Sequence, residues 1–178
     1  MQSTGMITEY LYRVGGPPVF LAMPRVNFNA MERENAYIAK MEELGLEPRV
    51  IGTNALQERS HFEAHGHAVL SEHFSRGELL DATILCANDR VAIGALRAAS
   101  QHGLEPGALR KGGLRIAGHD DYPLCPFTTP SLTTVEQDVG AIGQAAVDRL
   151  MEKLRAENKT ENQVIKLING VLKIRESA

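Results

Sequence analysis

Three polar positions in this 178-residue chain could carry binding chemistry, namely Arg33, Asn88 and Asp120. A guanidinium group offers five N–H donors, an amide both donates and accepts hydrogen bonds, and a carboxylate accepts them. This set suits a polar ligand that carries hydroxyl or acid groups. The sequence shows no nucleophile next to a base in a catalytic motif, and it has no glycine-rich phosphate-binding motif. We therefore expect a binding protein and not an enzyme.

Each of these positions follows an apolar run that is typical of a strand. The runs cover residues 19–23, 83–87 and 114–118, and predicted helices separate them. Alternating strands and helices predict an α/β fold with a largely parallel sheet. Because the carboxyl ends of parallel strands meet at one edge of the sheet, the three polar positions should lie together there.

The neighbours Asn88 and Asp89 allow two interpretations. Both residue types cap helices by accepting hydrogen bonds from the free N–H groups of the first turn, so the pair could serve only to start a helix. Alternatively, one of the two faces a ligand. We expect the later residue, Asp89, to be the cap, which leaves the Asn88 amide for the ligand. Asn29 is similarly expected to cap a helix that runs to Leu44, and Arg33 could be a solvated residue of that helix.

Composition restricts the classes of function. The net charge of −3 and the isoelectric point near 6.1 lack the basic surplus that is typical of nucleic-acid-binding domains. Cys86 and Cys125 are far apart and form no CxxC motif, which favours a reducing, cytoplasmic location. No stretch is long enough to cross a bilayer, and the first residues do not read as a signal peptide.

Histidines raise the question of a metal site. His61 and His65 are one helical turn apart, a spacing that can bind zinc, and two further histidines lie nearby. Because no cysteine or well-placed third ligand accompanies them, a solvated histidine-rich helix face is the preferred interpretation. We expect neither a metal nor a cofactor.

Several motifs together resemble the lactose-repressor (LacI/GalR) family of bacterial transcription regulators. They are TILCANDRVAIGALRAASQHGL, IAGHDD and PSLTTVEQDVGAIGQAAVDRLMEKL, and Arg33 lies in RENAYIAKMEELGL, which is similar to a further family motif. The resemblance covers nearly the whole chain. It implies a periplasmic-binding-protein-like type I fold, in which two α/β lobes joined by crossing strands hold a small effector between them.

The resemblance also implies which residues contact the effector. It assigns this role to Arg33, Asn88 and Asp120, with Asn29 as a fourth contact. His61 or Phe62 would replace an aromatic side chain that stacks on the ligand. The effector could be a sugar, a sugar acid or a purine. Two departures from the family pattern concern packing: His119 replaces a phenylalanine or tyrosine, and Ala36 replaces a glycine.

A division into lobes follows from the same resemblance. We expect residues 1–23 to be a remnant of the N-terminal lobe, 24–132 to be the C-terminal lobe, and 133–160 to be a returning helix of the N-terminal lobe. Residues 161–178 should close the C-terminal lobe with a hairpin. Asn169 and Gly170, between the apolar runs 164–168 and 171–174, are the preferred residues of a type I′ turn.

Partners are implied as well. The family pairs through its C-terminal lobe, so we expect a homodimer with Ile93 at the interface. DNA would be contacted only through an N-terminal domain that is missing from this sequence. With most of the opposing lobe also missing, we expect an open ligand-binding rim and weak or absent effector binding. A periplasmic sugar-binding protein of an ABC transporter has the same fold and is the alternative.

Overall fold

The computed structural model describes residues 2–24, 28–53, 61–107, 113–155 and 168–178. Helices and strands alternate through most of this range, as the sequence predicts. The elements are α1 (Gln2–Gly15), β1 (Val19–Leu21), α2 (Phe28–Glu43), β2 (Val50–Ile51), α3 (Phe62–Ser75), β3 (Thr83–Cys86), α4 (Asp89–Gln101), β4 (Arg115–Ala117), a short 3₁₀ helix (Cys125–Phe127), β5 (Thr134–Glu136), α5 (Val139–Arg155) and β6 (Val171–Lys173).

The main sheet contains four parallel strands in the order β2-β1-β3-β4. Every residue of β1, β3 and β4 is buried. Strands that are apolar and buried on both faces are characteristic of parallel sheets covered by helices. The predicted α/β fold class is therefore confirmed.

Strand β1 lies inside this sheet, between β2 and β3. Phe20 is in register with Val50 on one side and with Leu85 on the other. Helix α1 packs against α2 and β3. The expectation that residues 1–23 form a remnant of another lobe is therefore wrong for these elements. An apolar run identifies a strand, but the long-range pairing of that strand decides which sheet it joins.

Helices α3 and α4 cross closely at two glycines. A Cβ atom on Gly66 would overlap the carbonyl oxygen of Val91, and one on Gly94 would overlap the carbonyl oxygen of Glu63. Glycine weakens a helix interior relative to alanine, so its presence here needs a packing reason. The reason is the contact between two helix backbones, which leaves no room for a side chain.

A second, two-stranded sheet joins β5 to β6 in antiparallel register, with Val135 opposite Leu172. The predicted hairpin is only partly realised. Strand β6 forms, but its partner is β5, and the φ angle of Gly170 is not in the positive range that a type I′ turn requires. Residues 164–167 of the expected partner strand lie outside the described residues. Pairing with the edge of β5, in place of a local turn, therefore positions β6.

Helix α5 is exposed along its whole length. The predicted cap is confirmed, because the N–H of Ala141 donates to Oδ1 of Asp138 at 2.8 Å. None of the residues of α5 is buried, and Val139 and Leu154 are 75% and 72% exposed. An amphipathic helix with an apolar stripe normally packs against another surface.

No helix within the described ranges is long and apolar enough to cross a membrane.

Candidate functional site

Arg33 and Asp120 meet at the carboxyl end of the main sheet. Nη1 of Arg33 donates to Oδ2 of Asp120 at 3.0 Å, and Nη2 donates to Oδ1. Nη1 also donates to the carbonyl oxygen of Ala87 at 2.8 Å, directly after β3. Arg33, in the second turn of α2, thus connects the ends of β3 and β4. Two of the three predicted site residues lie side by side.

The turn that presents Asp120 has an unusual backbone. Asp120 and Asp121 have φ angles of 115° and 52°, in the range that favours glycine. Aspartate is enriched among the few other residues that adopt positive φ. Asp121 is held by an ion pair with Arg175 at 2.7 Å. The backbone N–H of Asp120 donates to the carbonyl oxygen of Val135 at 2.9 Å, which ties the turn to β5.

Gln137 completes the cluster, although no motif in the sequence points to it. Its Nε2 donates to Oδ1 of Asp120 at 2.9 Å. Gln137 directly follows β5, and the backbone of Asp120 bridges in parallel to Glu136 in that strand. The signal that could have found Gln137 is therefore the one used for the other positions, a polar residue immediately after a strand that joins the same edge.

In the sequence, His119 stands out only as a departure from a family pattern. It is 2% exposed, its Nδ1 lies 3.2 Å from Oδ1 of Asp120, and its Nε2 lies 3.0 Å from Oγ of Ser3. Nδ1 is also 3.3 Å from Nε2 of Gln137. The imidazole thus links α1 to the carboxylate that pairs with Arg33.

A cavity of about 210 Å³ opens beside these side chains. It is smaller than the roughly 300–1,000 Å³ of most small-molecule sites, so it encloses only part of a ligand of ordinary size. Elements α1 and α2 form one side, and the residues after β4 and β5 form another. The polar side chains that line it are Gln2, Ser3, Thr4, Asn29, Glu32, Arg33, His119 and Gln137.

The pKa values of Asp120 and His119 are both lower than the usual values of these side chains. Burial by itself would raise the pKa of Asp120, but the hydrogen bond from His119 and the guanidinium of Arg33 outweigh it and hold that pKa below its usual value. Burial lowers the pKa of His119, although Asp120 opposes this. Near neutral pH the site therefore combines a charged Arg33–Asp120 pair with a neutral imidazole.

Asn88, and not Asp89, caps helix α4. The backbone of Asn88 is extended, and its Oδ1 accepts a hydrogen bond from the N–H of Val91 at 2.8 Å. The Asn88 amide nitrogen lies 3.2 Å from the sulfur of Met23, the residue is 8% exposed, and it does not line the cavity. The expectation that Asp89 is the cap is wrong, because the capping residue is the extended one before the first helical residue. A ligand contact by Asn88 stays a prediction.

Of the remaining residues predicted to contact the ligand, one lines the cavity and two do not. Asn29 lines the cavity, but as the second residue of α2 it lies inside the helix and is not its cap. His61 and Phe62 do not line the cavity. The guanidinium of Arg90 lies 5.2 Å from the ring centroid of Phe62 and forms a bidentate pair with Glu63. Phe62 thus packs against Arg90 at the start of α3, and a ligand contact by His61 or Phe62 stays a prediction.

Metal binding and thiol chemistry find little support in the geometry of the described residues. Among the residues that the structure describes, no group of three histidine, cysteine, aspartate or glutamate side chains could hold a metal ion. The Nε2 of His65 lies 2.8 Å from the carbonyl oxygen of Ala22, while His73 pairs with Glu78. Cys86 and Cys125 are fully buried, and burial raises the pKa of each thiol, which disfavours the reactive thiolate.

Fold and site together show an α/β domain with a polar cavity at the carboxyl edge of a parallel sheet. The family model for a periplasmic binding protein-like domain matches residues 9–178. The chain belongs to this family. It corresponds to the effector-binding region of LacI-type transcriptional regulators, as the sequence motifs indicate.

Three relatives illustrate the similarity. The chain is 34% identical over 152 residues to the HTH-type transcriptional regulator MalR of Streptomyces coelicolor, covering 84% of this chain and 42% of that protein. It is 34% identical over 87 residues to the lactose operon repressor of Escherichia coli, covering 49% and 23%. The crystal structure of the Lac repressor dimer bound to operator and the anti-inducer ONPF superimposes with a TM-score of 0.79 at 26% identity, covering 98% and 57%. The chain spans less than half the length of these two curated relatives.

Proposed function

We propose that this chain senses a small effector for a bacterial LacI-type regulator and that the effector binds beside the Arg33–Asp120 pair. The observation that carries the proposal is this bidentate pair, which lies next to a polar cavity at the carboxyl end of the sheet. In open α/β sheets, ligands bind outside the carboxyl ends of the strands. The role is binding and not catalysis, and the protein would act in the cytoplasm.

The charges favour a neutral ligand that is rich in hydroxyl groups. Among the described residues, Glu32 and Arg33 line the cavity, and the carboxylate of Asp120, which does not line it, pairs with the guanidinium of Arg33. In this part of the structure, two carboxylates against one cation disfavour a sugar acid. Asn29 and Gln137 add amide groups that both donate and accept hydrogen bonds. Among the sugars, sugar acids and purines that the sequence leaves open, a neutral sugar fits this surface best.

The transport alternative, a periplasmic sugar-binding protein, is not favoured. The MalR and lactose-operon relatives are both transcriptional regulators. In the regulator, DNA would be bound through a separate domain, which fits the HTH-type name of the MalR relative and the 42% of that protein that this chain covers. The exposed apolar side of α5 supports packing against a second lobe of the same regulator.

We further propose that the protein pairs as a homodimer through the α4 side of the domain. Ile93 is only partly buried against the core, and Phe127 on the neighbouring 3₁₀ helix is 82% exposed. Large exposed apolar side chains of this kind are typical of interaction surfaces. The Lac repressor structure described above is also a dimer.

Saturation-transfer difference NMR tests the ligand proposal, because it detects weak binding by an incompletely enclosed site. The panel would contain lactose, ribose, glucuronate and adenine, each added to this chain. We expect saturation transfer to a neutral sugar, and its loss in Arg33→Ala. The matched control is Arg76→Ala, which removes an exposed arginine paired with Glu72. Equal signals from Arg33→Ala and the unmodified chain would contradict the proposal.

A further inference from the structure

Asp89 is a buried carboxylate that the proposed binding site does not use directly. It is 1% exposed and begins α4, but the cap of that helix is Asn88. Its Oδ2 accepts a hydrogen bond from the backbone N–H of Tyr122 at 2.7 Å, and its Oδ1 accepts one from the hydroxyl of Thr134 at 2.6 Å. A buried charge is tolerated only when such partners replace water. The side chain therefore has a specific set of contacts that needs an explanation.

These contacts enclose the turn that carries Asp120. The backbone N–H of Asp89 donates to the carbonyl oxygen of His119 at 3.0 Å, immediately before the turn. Its carboxylate accepts from Tyr122, immediately after the turn. The two residues between these anchors, Asp120 and Asp121, are the ones with positive φ angles. One residue thus holds both ends of a backbone conformation that is unfavourable for side chains other than glycine.

Gly118 makes this arrangement possible. A Cβ atom at position 118 would overlap Oδ1 of Asp89 and come within 3.0 Å of its Cα atom. The absence of a side chain at Gly118 lets α4 approach the end of β4 closely enough for the carboxylate to reach both Tyr122 and Thr134. The Gly-His-Asp-Asp motif at residues 118–121 therefore lies directly against the Asn-Asp pair at the start of α4.

We propose that Asp89 is a positioning residue for effector binding, which holds the Asp120–Asp121 turn so that the Asp120 carboxylate meets Arg33 and Gln137. It does so without touching the ligand, since it is buried beneath the turn. The part of this inference that concerns the ligand rests on the proposed function. The part that concerns the placement of Asp120 does not depend on any ligand.

The experiment therefore has a first readout that needs no ligand. Carbon-13 NMR titration measures the pKa of the Asp120 carboxyl in the unmodified chain, Asp89→Ala, Thr134→Val and Thr83→Val. Thr83→Val is the matched control for Thr134→Val. Each removes one buried threonine hydroxyl, but the hydroxyl of Thr83 donates to Gly15 at the opposite end of β3. Circular dichroism confirms that each variant is folded.

We expect the pKa of Asp120 to rise toward the usual aspartate value in Asp89→Ala, because the carboxylate loses its fixed place beside Arg33. A smaller rise is expected in Thr134→Val, and none in Thr83→Val. If Asp89→Ala does not fold, Thr134→Val decides by comparison with Thr83→Val. An Asp120 pKa that is the same in every folded variant would overturn the proposal.

Saturation transfer to the neutral sugar of the panel that binds the unmodified chain provides the second readout. Loss of the signal in Asp89→Ala and its retention in Thr83→Val would support positioning for binding, and retention in both would overturn that part. If the unmodified chain gives no signal with any of the four panel compounds, the proposed function fails. The Asp120 titration then still decides whether Asp89 places that carboxylate.

Discussion

Arg33 and Asp120 are 87 positions apart in the sequence, yet they share two hydrogen bonds. The side chain of Arg33 is 13% exposed and that of Asp120 is 42% exposed, so water screens the pair from one side. Ion pairs at such partly exposed positions contribute about 0.2–1 kcal/mol to stability. The value of the pair for binding is therefore expected to exceed its value for folding.

Replacing Arg33 or Asp120 by alanine should abolish the response to the effector and leave the fold intact. We expect the free energy of unfolding to fall by no more than about 1 kcal/mol for either variant. Urea denaturation measures this change, and saturation transfer from the protein to the neutral sugar that binds the unmodified chain measures binding. A variant that loses several kcal/mol would show that the pair is part of the structural core instead.

Asn88→Ala should destabilise the protein by about 1 kcal/mol, because the first turn of α4 loses the acceptor for the N–H of Val91. Asn88→Asp retains a side-chain oxygen and should lose much less. Urea denaturation of the two variants, compared with the unmodified chain, measures the difference. Equal stability of Asn88→Ala and Asn88→Asp would contradict the capping role.

Gly94→Ala should be strongly destabilising, by roughly 1–3 kcal/mol, because its Cβ atom would overlap the carbonyl oxygen of Glu63 and push α3 away from α4. Gly143→Ala is the matched control on α5. A Cβ atom there meets nothing within 4 Å, so the better helix propensity of alanine should stabilise that helix by about 0.5–1 kcal/mol. Thermal unfolding distinguishes the two expected directions, and a Gly94→Ala variant as stable as the unmodified chain would refute the close crossing.

His119 should make stability depend on pH between the pKa of the folded imidazole and about 6.5, the value in the unfolded chain. Burial lowers the folded pKa, so the unfolded state binds more protons in this window and stability falls as the pH falls. His119→Phe should weaken this dependence. Unfolding free energies at about pH 5.5 and 7.5 measure it, with the exposed His61 replaced by phenylalanine as the control. An unchanged pH dependence in His119→Phe would contradict this assignment.

The chain should be a dimer at micromolar concentration, and Ile93→Arg should shift it toward the monomer. A charged side chain would be buried without a partner if Ile93 lies in the interface. Light scattering gives the mass of each protein. Leu80→Arg, an exposed position in the turn before β3, controls for a general effect of added charge. A monomer mass for the unmodified chain would contradict the dimer.

Local patterns in the sequence were sufficient for most of the secondary structure. Gly45, Gly77 and Gly103 end three predicted helices, and each adopts the positive φ that suits a helix end. The cap at Asp138 was also predicted correctly. These features depend on neighbours a few residues away, which is why a sequence pattern reports them reliably.

The sequence also indicated that Arg33 and Asp120 approach each other, because both belong to units whose strands end at one edge of a parallel sheet. It did not indicate Gln137, whose place beside Asp120 depends on β5 joining that edge in parallel register. Similarly, two adjacent residues of capping type could not be distinguished by type alone. The extended backbone of Asn88 and the buried partners of Asp89 distinguish them.

The sequence by itself therefore determined the order of strands and helices, the class of fold and the family to which the chain belongs. Only the tertiary structure decided that β1 lies within the main sheet, that β6 pairs with β5, and that Asp89 supports the turn of Asp120. The physical reason is the range of the interactions. Helix periodicity and capping act within a few residues, whereas strand pairing and buried hydrogen bonds depend on segments that are distant in the chain and meet only in the folded protein.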